Sequence, residues 1–229
     1  MSSQPFSSSP ASRWEEESSS DEVPRHSRTP PRMKATFSPS ITRNPQNSIW
    51  KVNDDPQKLD NVLNTFLGKG GDRLLPEELK WLAVTHKSFD QGRRGFNDRL
   101  AFLGRQIAIF EATQSIITSQ DTFQAPENDI YAGRREPFEE PALRLVDNLS
   151  VTHPDNLLTK ENMQKLAVNT GLSEVMRWKP RNTSSLKSSG IQAVMSGTVY
   201  AIIGAVALQH GGKVASRIFR ERVLKKLRM

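Results

Sequence analysis

The chain has 229 residues, a net charge of +7 and no cysteine. That length allows one ordinary domain with a tail, or at most two small domains, and the missing cysteines exclude disulfides and thiolate metal sites. The charge is uneven: from Lys179 onward there are ten basic residues and one acid, Glu221, a net of +9, which leaves −2 for the rest. A positive end on a slightly acidic body favours a polyanionic partner. RNA is the first candidate and an anionic membrane surface the second; the plain alternative is a solvated helix face.

Residues 1–50 read as a tail. Ser, Pro and Arg dominate it, in SSSP, EEESSSDE and RTPPR. Such a composition buries too little apolar surface to offset its ordering entropy, so a disordered or extended segment is expected. It has no apolar core of a secretory signal. Its Ser and Arg suit a mitochondrial transit peptide, but Glu15, Glu16, Glu17, Asp21 and Glu22 do not.

Residues 51–229 read as one helical domain. Asp55-Pro56 opens a helix through Leu59, Val62, Leu63, Phe66 and Leu67, and GKGGD (68–72) ends it. Pro76 fits the first position of a second helix, LPEELKWLAVTHKSF, with Leu79, Leu82 and Ala83 on one face. QGRRG is a loop. NDRLAFLGR (97–105) opens a third helix, with Leu100, Phe102 and Leu103 toward a core and Gly104 interrupting it. That helix runs on through Ile107, Ile109, Phe110, Ile116 and Ile117. Residues 118–141 are polar and broken by Pro126, Gly133, Pro137 and Pro141, as in a loop. PALRLVDNLSV is a short helix. Thr159 caps TKENMQKLAVNTGL, with Asn162 at its third position and Gly171 at its end. SEVMRW is another short helix, and RNTSSLKSSG is a polar loop. Ile191–Leu208 is a long apolar helix closed by QHGG. The last helix puts Val214, Ile218, Phe219 and Leu224 on one side and the basic residues on the other. The period is near 3.6 almost throughout, so the class is all-α.

The Ile191–Leu208 segment has no charge over about eighteen residues, the lower edge of a membrane span. Gln192, Ser196, Thr198 and Tyr200 are polar, however, and the amphipathic helices need something to pack on, so a buried central helix is expected and no membrane span. Simple catalytic patterns are weak. His26, His86, His153 and His210 show no ligand spacing. Ser184-Ser185-Leu186-Lys187 matches S-x-x-K without partner motifs. GKGG and GGKV lack P-loop spacing, and Glu77-Glu78 and Glu139-Glu140 suit solvated helix starts or loops.

Three segments together resemble the ribonuclease III endonuclease domain over roughly residues 55–229. THKSF (85–89) is similar to its T-H-x-S-[YF] segment, NDRLAFLGR to its N-E-R-L-E-F-L-G-D signature, and VMSGTVYAIIGAVALQHGG to its L-A-D-x-x-E-A-x-I-G-A-x-x-L-D-x-G helix. NMQKLAVNTGLSEVMRWKP resembles the family segment between them. The resemblance implies a ribonuclease III-like helical fold. In that family four carboxylates hold two divalent metals that activate water and stabilise the leaving oxygen of an RNA phosphodiester. Here the matching positions are Ala101, Arg105, Gly197 and Tyr200. Arg105 puts a positive charge where a cation would sit, and Asp98 alone cannot hold two metals. The resemblance therefore implies a pseudoenzyme with no catalytic residue, no metal and no cofactor.

Among family members without these acids, the resemblance extends to structural proteins of the fungal mitochondrial large ribosomal subunit. It then implies partners in mitochondrial rRNA, neighbouring large-subunit proteins and a second ribonuclease III-like ribosomal protein, in a heterodimer within the mitochondrial matrix. Lys213, Arg217, Arg220, Arg222, Lys225, Lys226 and Arg228 are the candidate phosphate contacts. Phe102 matches the family phenylalanine that inserts into the partner, with a core role as the alternative. The competing readings are a non-catalytic subunit of a partner-dependent RNA-processing ribonuclease, and a membrane-associated protein anchored by residues 191–208.

Overall fold

Asp55 starts the first helix in the computed structural model, which describes residues 24–27, 49–120, 122, 134, 140, 141 and 143–227. Helix α1 (Pro56–Leu67) has Asp55 accepting from the Gln57 amide at 2.9 Å, and Pro56 sits in the first turn, where no amide is missed. Leu59, Leu63, Phe66 and Leu67 are buried. Gly68, with φ at 105°, ends the helix in a conformation that side chains resist. A 3-10 turn at Gly71–Leu74 leads to α2 (Glu77–Val84), which Pro76 precedes as N-cap.

Helix α2 stops at Val84, not at Phe89 as the apolar pattern predicts. The reason lies far along the chain: the His86 amide donates to the Arg177 carbonyl at 2.8 Å, and the Arg177 amide to Val84 at 2.9 Å. The result is an isolated parallel bridge between Thr85 and Arg177. The buried face of α2 is Trp81, Ala83 and Val84, with Leu79 and Leu82 only half-buried. Buried Asn97 then fixes the entry to α3 (Asp98–Ile117). Its side-chain amide donates to the Ala83 carbonyl at 2.9 Å, and its backbone amide to Thr85 at 3.0 Å.

The segment expected as a loop, 118–141, lies largely outside the described residues. A 3-10 turn at Arg144–Asp147 precedes α4 (Asn148–Val151), as PALRLVDNLSV predicts in outline, and α5 (Pro154–Leu157) is an additional turn. Helix α6 (Lys160–Asn169) is capped by Thr159, whose hydroxyl accepts from the Asn162 amide at 3.2 Å. Gly171, at φ 78°, turns the chain into α7 (Leu172–Val175). Helix α8 (Ile191–His210) is central, and the C-terminal helix follows as α9 (Gly212–Ile218), a π-turn at Phe219–Leu224, and α10 (Lys225–Leu227).

Helix α8 is long and apolar enough to cross a membrane, but most of that length is buried inside the protein. Helices α2, α3, α6 and α9 pack around it. Val199, Ala201, Ile202, Ile203, Ala205 and Val206 are fully enclosed. The C-terminal helix buries Ala215, Phe219, Val223 and Leu224, while Val214 and Ile218 are half-buried.

Part of the expected tail is placed. Pro24–Ser27 forms a short turn against α2. His26 stacks on Trp81 with ring centroids 5.3 Å apart, and lies 3.6 Å from both Glu77 and Glu78. The His26 carbonyl accepts from Arg94 and Arg177, each at 2.8 Å.

Candidate functional site

Two helices, α3 and α8, carry the positions where the family resemblance places acids, and they meet more closely than side chains normally allow. A β-carbon on Gly104 would overlap the Tyr200 carbonyl oxygen and stand 2.9 Å from the Gly204 nitrogen. A β-carbon on Gly204 would overlap the Leu100 carbonyl oxygen and stand 3.1 Å from the Gly104 nitrogen. The glycine that interrupts the third helix is therefore a packing requirement, shared by a second glycine opposite it.

At the four positions, Ala101 is half-buried, Arg105 is exposed, Gly197 is half-buried with open space where a β-carbon would project, and Tyr200 is buried. The Tyr200 hydroxyl donates to the Leu158 carbonyl at 3.5 Å. Burial raises its pKa; a hydrogen bond with Ser196 and the nearby Arg105 charge act the other way. The phenol is thus neutral and buried at ordinary pH, with neither the charge nor the exposure of a metal ligand. Asp98 pairs with Lys87 at 3.3 Å. Among the described residues, no group of three or more His, Asp or Glu stands close enough to hold a metal ion.

Phe102 does not face the core. It is 69% exposed, while Leu100 is buried and Leu103 half-buried. The core alternative for Phe102 falls, because on a helix the i+2 position points away from Leu100.

The cationic residues divide by what they touch. Lys213, Arg217, Lys225 and Lys226 are exposed. Lys213, Arg217 and Arg220 share one face at helical spacing. Arg220 is 53% exposed and its Nε lies 3.3 Å from Glu111 Oε2, whose side chain is almost wholly buried. Arg222 is half-buried, its guanidinium laid over the Gly68 backbone at the end of α1. It serves packing against a helix C-terminus as much as it offers charge to solvent. Arg228 lies outside the described residues. The sequence patterns give no sign of Glu111, which sits in an apolar run, or of its pairing with Arg220, which needs two helices brought together.

With this geometry in place, comparison with known proteins is specific. The family described as ribonuclease-III-like matches residues 76–227. A curated relative from Neurospora crassa, named large ribosomal subunit protein mL57, is 49% identical over 92% of this chain and 78% of its own length. The nuclease domain of a Campylobacter jejuni ribonuclease III is 19% identical, covers 76% of this chain and 97% of its own, and superposes with a TM-score of 0.46. The chain belongs to the ribonuclease-III-like family, and its all-α architecture is that family's helical domain.

Proposed function

We propose that this protein is a non-catalytic structural component of the mitochondrial large ribosomal subunit. The observation that carries the reading is the 49% identity, across nearly the whole chain, to a protein named large ribosomal subunit protein mL57. The site supports it chemically: Ala101, Arg105, Gly197 and Tyr200, which the resemblance matches to the family's acids, offer no carboxylate to a metal, and this speaks against phosphodiester hydrolysis by two metals. Shape and charge remain. Exposed Lys213, Arg217, Lys225 and Lys226 suit rRNA phosphates, which need cations and no base-specific group. Exposed Phe102 suits insertion into a second ribonuclease III-like protein of the particle. In this reading residues 51–229 are the folded unit with Pro24–Ser27 docked on α2, and the remainder of residues 1–50 is an extension over its surroundings.

The experiment is gradient sedimentation of the tagged protein from lysed mitochondria, in magnesium and then in EDTA. The expected result is migration with the intact ribosome in magnesium and with the separated large subunit in EDTA. Material that stays at the top in both removes the proposal. Purified complex assayed on duplex RNA with magnesium should show no cleavage above background, and metal-dependent cleavage would favour a partner-dependent ribonuclease instead.

A further inference from the structure

We propose that the groove between α3 and the C-terminal helix holds one unpaired RNA nucleotide, its base stacked on Phe110 and its phosphate on Lys213 and Arg217. This deepens the RNA-binding reading above and rests on it. The groove has a volume of about 570 Å³ and is walled by Phe110, Glu111 and Gln114 on one side and by Lys213, Arg217 and Arg220 on the other. That volume is in the range of small-ligand sites.

Three features define the occupant. Phe110 is 63% exposed, an aromatic face left in water on a helix with an apolar side of its own. Lys213 and Arg217, one helical turn apart on α9, stand across from it and are exposed. Glu111 is buried at the groove wall, and its Oε2 has no hydrogen bond, only the charge contact with Arg220 at 3.3 Å. This contact draws Arg220 to the groove edge, with its side chain half in solvent. A flat π-surface beside cations is the arrangement that single-stranded nucleic acid uses, base on ring and phosphate on Lys or Arg. A perfect A-form duplex presents phosphates but keeps its bases stacked inside, so it reaches the cations without reaching Phe110. A purely apolar protein segment matches Phe110 and leaves the cations unanswered.

The test uses the purified full-length protein and a fluorescent RNA dodecamer of mixed sequence, single-stranded or in a blunt duplex. Phe110→Ala should weaken single-strand binding about 5- to 150-fold, the range for losing one stacked base, and change duplex binding less than twofold. Phe110→Tyr keeps the ring and should bind like the parent. Lys213→Ala with Arg217→Ala should weaken both RNAs and flatten the salt dependence. The proposal is overturned if Phe110→Ala weakens neither RNA or both equally. It is also overturned if Phe110→Ala instead changes the oligomeric mass on gel filtration, which would assign that face to a protein. Because Phe110 is exposed, an unchanged melting curve separates lost binding from lost fold. Failure to sediment with ribosomes would remove the ribosomal reading while leaving the single-strand preference intact, so the two fail separately.

Discussion

Gly104 and Tyr200 touch through backbone alone: a β-carbon on Gly104 would stand 2.7 Å from the Tyr200 carbonyl carbon. Neither helix can yield cheaply, since α3 and α8 form the most extensive helix contact among the described residues. Gly104→Ala gains up to about 1 kcal/mol of helix propensity and meets an overpacking penalty at or above the usual limit of about 3 kcal/mol. The expected net loss is about 2 kcal/mol or more, read as a lower urea midpoint. Gly197→Ala is the matched control. Its β-carbon meets nothing within 4 Å, so it should stabilise the protein by about 0.5–1 kcal/mol. Equal losses at the two positions would show that α3 and α8 resist an added methyl group generally and not at the crossing alone.

Phe102 projects from the same crossing but outward. Its truncation to Ala should leave the unfolding midpoint of the isolated chain within about 0.5 kcal/mol, as for other surface positions. At a pairing surface a buried aromatic anchor is worth about 2 kcal/mol or more, roughly thirtyfold in affinity. Quantitative mass spectrometry of tagged protein recovered from mitochondria should then show a ribonuclease III-like partner falling with Phe102→Ala. Undiminished recovery of that partner would assign the pairing elsewhere.

How much of this was legible depends on distance along the chain. The caps at Asp55 and Thr159 and the long apolar helix are local signals, and the structure places them where the pattern does. The end of α2 was not legible, because Thr85 leaves the helix for Arg177, which no window of the sequence brings near it. Phe102 and Phe110 were not sorted from core residues because α3 is apolar on several sides, and periodicity does not say which apolar face meets protein and which meets solvent. That Ala101, Arg105, Gly197 and Tyr200 carry no carboxylate is plain in the sequence, and matching them to the family's acids is what the resemblance implies. The Glu111–Arg220 contact and the docking of His26 were not, since each joins segments that only tertiary packing brings together.

Arg177 is the latch for that docking. Its guanidinium donates to Asp54 at 2.9 Å and to the His26 carbonyl at 2.8 Å, and lies 4.7 Å over Trp81 and 4.8 Å over Phe89. Lys keeps the charge but not the planar fork that serves two acceptors while stacked on rings. Arg177→Lys should therefore lower stability by about 1–3 kcal/mol. Asp54 is mostly exposed and is not stranded as a buried charge, so the loss stays below that for a broken buried pair. The same variant should speed tryptic cleavage after Arg25, measured against cleavage in the tail as a whole. Unchanged cleavage there would mean that Trp81 and the two glutamates hold His26 without the latch.

His86 gives a pH test with a definite sign. Burial lowers its pKa below the ordinary histidine value, the main cause, with Asp98 opposing and Lys87 adding to the shift. The geometry agrees: Nδ1 accepts from the Ser88 amide at 3.2 Å and contacts the Ser88 hydroxyl at 2.9 Å, while that hydroxyl accepts from the Lys179 amide at 3.0 Å. A proton on Nδ1 would remove the acceptor. Because the folded pKa is depressed, the unfolded chain takes up its proton first as pH falls. Stability is then fully present above the unfolded pKa of about 6.5 and declines as pH drops below it toward the folded pKa. The carboxylates contribute equally in a comparison with His86→Gln, so the difference between the two proteins isolates the imidazole. From pH 7.5 to 5.5 the parent should lose more of its urea midpoint than His86→Gln does. Parallel losses would mean that His86 titrates in the fold as it does in the unfolded chain.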